Sequence, residues 1–381
     1  MRVFPIVVLI GLIFSTGFAP ADDAAPAAPK EVLKIDLLPP GSNNPRNSEA
    51  DFVTLKDGRV LYIYTHFTSG AGDNSAAHLA SRISSDGGKT WSEKDQVVVP
   101  NEAGENVMSV SLLRLQDGRI GLFYLQKQSF KDCRPVVRFS SDEGATWSEP
   151  TKIITDEEVG YYVLNNARVS QLPDGRLLAP VARHDWKPGG GWNGAGVISC
   201  FYSDDAGKTW SHGAEAQLKA EHESVILQEP GLVLTAEGKL LIFCRTNGGF
   251  QYGCYSPDRG ETWGEIAPLQ LPAPVSPATM ERLPGRDEII VVWNDHKDVP
   301  VGARNLRTPL TIGRAVDPSG DWERLMTLED NPHGWYCYTA MHFVDDALLL
   351  SYCAGDRREN NGLAFTRVTR VPLELLVPKG E

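Results

Sequence analysis

Apolar residues fall in short runs along this chain, and small clusters rich in Gly, Asp and Asn break the runs apart. Residues 52–55 (FVTL) and 60–64 (VLYIY), for example, flank the tetrapeptide KDGR. Runs of this length, rich in β-branched and aromatic residues, predict strands, and Asp-Gly between two of them predicts a hairpin. The same grammar governs "LQEPGLVLTAEGKLLIFCRTNGGFQYGCYSPDRGETW" at 227–263. There Glu229 opens one apolar run and Arg245 closes the next. Two charges stand at the ends of a strand pair that otherwise reads as core.

The pattern repeats. An octapeptide recurs as SSDGGKTW (84–91), SSDEGATW (140–147), SDDAGKTW (203–210) and SPDRGETW (256–263), with a degraded fifth copy, AVDPSGDW, at 315–322. The spacings are 56, 63, 53 and 59 residues. Hairpin turns interleave with it: LKDGR (55–59), LQDGR (115–119), LPDGR (172–176) and TAEGK (235–239), with weaker equivalents at 284–288 and 344–348. In the octapeptide, Ser and Asp side chains satisfy the turn's own N–H groups, Gly takes a positive φ and Trp packs inward. A unit of about four strands cannot bury both of its faces alone and must stack on neighbours. Six such units predict an all-β fold, a six-bladed β-propeller over 31–381, with the run 31–38 as the outer strand of the last blade. The acidic residues of each octapeptide are too few for a calcium site.

Composition narrows the class. The 381 residues include 36 Gly and 26 Pro, which favours short strands over long helices. A formal net charge of −12 argues against a nucleic-acid partner. An anionic ligand would therefore depend on a few local arginines. Residues 1–21 read as a signal peptide: Arg2, an apolar stretch and an Ala-Pro-Ala cleavage pattern, followed by an Ala/Pro/Asp linker at 22–30. The mature chain is expected to be secreted or periplasmic, without a membrane span. Six cysteines lie in strand-like runs and none forms a CxxC, so no metal site is expected. Cys244/Cys254 and Cys337/Cys353 are placed to face each other across neighbouring strands, as disulfides or as buried thiols.

S-x-D-x-G-x-T-W is the Asp box of bacterial neuraminidase repeats, and over about residues 40–370 the chain resembles the exo-α-sialidase (neuraminidase) superfamily. The resemblance implies removal of a terminal α-linked sialic acid, or a related acidic sugar, from glycans by a retaining mechanism with a Tyr nucleophile, without a cofactor. If both repeated turns mark the bottom of the propeller, the top is built from the starts of first strands, the ends of second strands and the loops into third strands. Glu229, Arg245, Arg307, Tyr338, Asp73 and Arg46 all fall there. The resemblance implies that Tyr338 is the nucleophile, Glu229 its base and Asp73 the acid/base, with Arg46, Arg245 and Arg307 holding the carboxylate. Supporting spacings are the 16 residues from Glu229 to Arg245, the ten from Arg307 to Asp317 and the 11 from Asp73 to its box.

Each residue type has a chemical reason. A neutral phenol approaches an anomeric carbon that bears a carboxylate without like-charge repulsion, and a neighbouring Glu takes its proton. Guanidinium forks bind carboxylate bidentately. Further top-face candidates are Asn106, Met108, Ser109, Arg134, Asn165, Asn166 and Arg168, with Met108, Arg134, Asn166 and Arg168 expected to bind substrate. The segment 188–194 (PGGGWNG) reads as a loop over the third blade. The family's first arginine precedes Ile-Pro, whereas here NPRNSEADF places Arg46 early and Glu49 beside it. That departure favours, as an alternative, a glycosidase of the same fold acting on another sugar; a second alternative, a non-catalytic carbohydrate-binding propeller, predicts that Tyr338, Glu229 and Asp73 do not converge.

Overall fold

A computed structural model of the chain describes residues 1, 31–185, 194–300 and 306–377. The signal peptide and linker fall outside the described residues apart from Met1, as does all of the 188–194 loop except Gly194. The first strand, β1, is Leu33–Leu38. Blade 1 comprises β2 (Arg46–Thr54), β3 (Val60–Phe67), β4 (Ala77–Ser84) and β5 (Gln96–Val99). Blade 2 comprises β6 (Asn106–Arg114), β7 (Ile120–Ser129), β8 (Asp132–Ser140) and β9 (Thr151–Lys152). Blade 3 holds β10 (Tyr161–Val163), β11 (Ser170–Gln171), β12 (Leu177–His184), β13 (Val197–Ser203) and β14 (Ser211–His212).

Blade 4 is β15 (Leu227–Leu234), β16 (Leu240–Thr246), β17 (Phe250–Ser256) and β18 (Ala267–Pro272). Blade 5 is β19 (Thr279–Arg282), β20 (Ile289–Asn294), β21 (Leu310–Ala315) and β22 (Glu323–Glu329). Blade 6 is β23 (Gly334–Val344), β24 (Ala347–Asp356), β25 (Thr366–Pro372) and, antiparallel to β25, the N-terminal β1. The chain is a six-bladed β-propeller closed by strands from both ends of the ring. In blade 3 the innermost strand is split into β10 and β11, both paired with β12. A bridge from Tyr161 to Cys133 of β8 joins blades 2 and 3 into one nine-stranded sheet.

Six apolar clusters fill the spaces between neighbouring blades. Leu61 and Ile63 of blade 1 pack with Leu112 and Leu122 of blade 2, while Phe52 and Tyr62 pack with Leu349 and Val368 of blade 6. Burying a side chain such as Leu349 contributes roughly 1.5–3 kcal/mol.

The Asp boxes explain why the blades end where they do. In the first, Gly88 N–H donates to Ser84 Oγ at 2.9 Å, and Thr90 donates through N–H and Oγ1 to the two Asp86 oxygens at 2.9 and 2.7 Å. Ser140/Asp142/Thr146, Ser203/Asp205/Thr209 and Ser256/Asp258/Thr262 reproduce the pattern. The box carboxylates are thus spent on their own turn. Gly88, at φ +87°, sits so close to the neighbouring blade that a Cβ would lie 2.5 Å from Leu349 Cδ2.

The cysteines are six buried free thiols. Cys337 and Cys353 are direct cross-strand partners, but Cys244 pairs with Tyr252 and Cys254 with Ile242. The antiparallel register therefore offsets the pair Cys244/Cys254 by two residues instead of facing them.

Candidate active site

One backbone irregularity recurs at the top of the inner strands. β2, β6, β15 and β23 each slip register against their partner, after Ser48, Met108, Gln228 and Cys337. The next residue in each strand is left-handed: Glu49 (φ 55°), Ser109 (62°), Glu229 (46°) and Tyr338 (56°). In blade 3 Ala167, at φ 54° in the break between β10 and β11, does the same. A bulge of this kind re-aims one side chain out of the pleat. A positive φ on a residue with a Cβ costs roughly 1–3 kcal/mol and is concentrated at working sites. Glu49, Ser109, Glu229 and Tyr338 all line one cavity of about 130 Å³, with Asp73, Met108, Asn165, Gln228, Tyr161 and His184.

Within it the Tyr338 hydroxyl donates to Glu229 Oε1 at 3.1 Å, and Arg245 Nη1 donates to Glu229 Oε2 at 2.8 Å. Arg307 lies with its guanidinium carbon 5.4 Å from the Tyr338 ring centre and 4.8 Å from that of Trp335. Burial pushes the Glu229 carboxyl up, but Arg245 beside it, then Arg307 and the Tyr338 hydroxyl, outweigh burial and hold it below the usual carboxylate range. Tyr338 is raised well above an ordinary phenol, by burial first and by the Glu229 charge second. The resting pair is therefore a carboxylate beside a neutral phenol. Arg307 is 6% exposed, yet among the described residues its Nε and Nη1 have no hydrogen-bond partner, nor does Nε of Arg245. Buried unpaired donors are costly, and two guanidinium groups in that state favour an anion beside Tyr338.

Asp73 stands at the rim in the loop between β3 and β4, with its side chain 64% exposed. Desolvation acts to raise its pKa, but Arg46, Lys127 and Arg307 together lower it. Its backbone is fixed from blade 2: Asn106 Nδ2 and Lys127 Nζ donate to its carbonyl at 2.8 and 3.2 Å. Lys127 is a buried lysine that the strand pattern did not single out.

Arg46 is the first residue of β2 and 1% exposed. Its Nε donates to Ser48 Oγ at 3.0 Å, Nη2 to Glu49 Oε1 at 2.9 Å, and Nη1 to the Ala71 carbonyl and to Asp73. It therefore turns its guanidinium toward protein partners. Glu49 takes a second bond, from Ser109 Oγ at 2.8 Å, and burial raises its carboxyl to about 7 against the pull of Arg46.

Of the seven expected ligand-binding residues, Met108 alone lines this cavity; Arg46, Arg245 and Arg307 adjoin its lining residues Glu49, Glu229 and Tyr338, and the other three bond to protein partners. Arg134, in β8, is engaged by Asp132, Asp156 and the carbonyls of Ile154 and Thr155. Arg168 is buried and donates to the Ala278 carbonyl at 2.6 Å and to Thr279 Oγ1 at 3.3 Å. Asn166 Nδ2 donates to the carbonyls of Ala50 (3.0 Å) and Tyr338 (3.1 Å), joining blade 3 to blades 1 and 6. Its neighbour Asn165 lines the cavity instead, with Nδ2 unpartnered. A second cavity of about 580 Å³ shares Tyr161 and His184 with the first and extends over Phe130, Tyr162 and Arg183. Strand alternation alone does not forecast these linings, because each bulge shifts the alternation by one residue.

The fold has known counterparts. A sialidase of Micromonospora viridifaciens is 25% identical over 395 aligned residues, covering 91% of this chain and 58% of that protein. This chain therefore spans less than two thirds of that relative. Among solved structures, a Hadza microbial sialidase superposes with a TM-score of 0.70 at 18% identity, covering 88% of this chain and 67% of that one. The Trypanosoma rangeli sialidase gives 0.69 at 16%, covering 91% and 60%. Residues 67–350 match the model of the BNR repeat-like domain. With three quarters of its length inside that match and four Asp boxes at the blade ends, the chain belongs to the BNR repeat-like family of the sialidase superfamily.

Proposed function

We propose that this propeller is a retaining exo-glycosidase that hydrolyses a terminal α-linked sialic acid, or a related acidic sugar, from glycans. The observation that carries the reading is the Tyr338–Glu229 contact at 3.1 Å, with Glu229 held ionised and Tyr338 neutral. The sialidase names of the relatives support it. In the first step the Tyr338 oxygen attacks the anomeric carbon while its proton passes to Glu229. The bond to the leaving oxygen breaks as Asp73 protonates that oxygen. In the second step Asp73 takes a proton from water, water attacks the anomeric carbon, and the tyrosyl oxygen recovers its proton from Glu229. Arg245 and Arg307 hold the sugar's carboxylate through their free N–H groups.

Asp73 starts as a carboxylate paired with Arg46, so it becomes an acid only when the bound sugar excludes water and raises its pKa. The second cavity, next to the first, suits the aglycone. From the sequence of residues 1–21 we infer export, to the periplasm or the medium. A second reading, the same chemistry on a different acidic sugar, is favoured by the inward-turned Arg46. Release of a fluorogenic aglycone from a 4-methylumbelliferyl α-sialoside tests the proposal. Turnover by the wild type and its loss in Tyr338→Phe are expected; no turnover by the wild type, with turnover of another acidic glycoside, overturns the sialic acid assignment.

A further inference from the structure

One carboxylate of the cavity, Glu49, has no part in that mechanism. Glu49 occupies on β2 the bulge position that Glu229 and Tyr338 occupy on β15 and β23, and it lines the same cavity. Arg46, beside it, makes four hydrogen bonds to protein partners out of the five its guanidinium has to give. One guanidinium therefore stands between two carboxylates, Glu49 and Asp73. With both ionised that cluster sums to −1 and repels an anion. Beside Glu229 and Tyr338 the polarity is opposite: Arg245 and Arg307, next to those two cavity residues, keep N–H groups without a partner among the described residues.

We propose that Glu49 is a specificity-determining residue, resting on the glycosidase reading above, that accepts a hydrogen bond from a hydroxyl or ammonium substituent of the bound sugar. Each Glu49 oxygen already has one donor, Arg46 Nη2 on Oε1 and Ser109 Oγ on Oε2. Those bonds fix the carboxylate and leave each oxygen a lone pair for the ligand. Asn165, 2% exposed, presents an unpartnered Nδ2 to the same cavity and supplies a donor for an acceptor on that part of the sugar. The site thus reads one anionic group with two guanidiniums and a donor-bearing group with a carboxylate. Arg46, the arginine on this side among the described residues, is engaged by Glu49 and Asp73 and so does not serve as a third carboxylate ligand.

The test is a cycle between protein and substrate. Wild type, Glu49→Ala and the nearly isosteric Glu49→Gln are assayed on 4-methylumbelliferyl N-acetyl-α-neuraminide, on its 4-, 7-, 8- and 9-deoxy analogues, and on the 5-amino glycoside. For a hydroxyl ligand, Glu49→Ala raises KM for the parent about tenfold with kcat little changed. One deoxy analogue then shows the same rise in the wild type and no further rise in the variant. For an ammonium ligand, the 5-amino glycoside binds the wild type more tightly than the parent does, and Glu49→Gln abolishes that preference. A KM that does not move, or effects that add for every analogue, overturn the proposal and leave Glu49 as a counter-ion to Arg46. Absence of wild-type turnover of the parent overturns the sialic acid reading, and this proposal with it.

Discussion

Tyr338 and Glu229 stand 109 residues apart on blades 6 and 4, yet each is the left-handed residue of an identical bulge, and the hydroxyl of one meets the carboxylate of the other at 3.1 Å. The propeller builds its candidate centre by repeating one backbone device around an axis and changing only the side chain it carries. Glutamate, serine, alanine, glutamate and tyrosine occupy that position in blades 1, 2, 3, 4 and 6.

If Tyr338 and Glu229 act as one unit, their removals are not additive. Glu229→Gln is expected to lower kcat by about 10²–10⁴-fold, the range associated with loss of a general base. Tyr338→Phe lowers it at least as far, and the double variant no further than Tyr338→Phe. Additive losses in steady-state kinetics on the fluorogenic sialoside contradict the pairing.

Arg307→Lys keeps the charge but loses the fork. Hydrogen bonds to charged groups are worth about 1.5–3 kcal/mol, so KM for the sialoside should rise by roughly 10- to 150-fold while kcat changes less. An unchanged KM would place the carboxylate elsewhere.

Asn166 ties the Tyr338 carbonyl to that of Ala50 through a single amide nitrogen. Asn166→Ala leaves two carbonyls without this donor, at about 1–3 kcal/mol. Thermal unfolding should show a lower Tm and kinetics a lower kcat, because the Tyr338 backbone loosens, with KM retained. A rise in KM alone would restore Asn166 to ligand binding.

Gly88→Ala places a Cβ against Leu349 in a conformation unfavourable to L-residues. The strain costs about 1–2 kcal/mol, and overpacking adds roughly 1–3 kcal/mol. Calorimetry should show Tm lowered by several degrees; an unchanged Tm would mean that the blades can shift apart freely there.

Stability should fall as pH rises above neutrality. Burial raises Asp51 and Glu281 to about 8, and Glu49 to about 7. The folded state thus holds protons that the unfolded state has released above its ordinary carboxylate pKa values near 4. Stability is greatest below that range and is lost as pH climbs through 7 and 8. His342, lowered to about 4 by burial, acts oppositely, its contribution falling away only as pH drops from its ordinary 6.5 toward 4. Between pH 6.5 and 8.5 the carboxylates therefore dominate, and Tm should decline. Asp51→Asn should flatten the decline; an equal slope in that variant assigns it to other groups.

The turns were the legible part of the sequence, because Ser, Asp, Gly and Thr at fixed spacing satisfy a turn locally. Ser84, Asp86, Gly88 and Thr90 bond as their types require, and blade count follows from counting them. The expected outer strand at 31–38 pairs with β25, as β1. The spacings also brought Glu229, Arg245, Arg307 and Tyr338 together. Side-chain direction was less legible. A bulge turns Glu49 into the cavity, and Arg46 follows its two carboxylates instead of a shared point. Arg134 and Arg168 looked equally eligible as top-face arginines, but Arg134 is held by Asp132 of its own strand and by the segment 154–156, and Arg168 by Ala278 and Thr279 two blades away. The Glu49 signal was present in principle: NSEAD aligns with LQEPG once both inner strands are superposed on their DGR-type turns.

The pairing of β1 with β25 ties the earliest strand made to the last. Arg367 reaches Asp36 at 2.7 Å across that join. During synthesis β1 has no sheet partner until the residues after 366 emerge, whereas β23, which carries Tyr338, pairs with β24, which emerges before β25. Without β25 the outer edge of β24 and the whole of β1 would stand unpaired, one strand away from β23 and Tyr338.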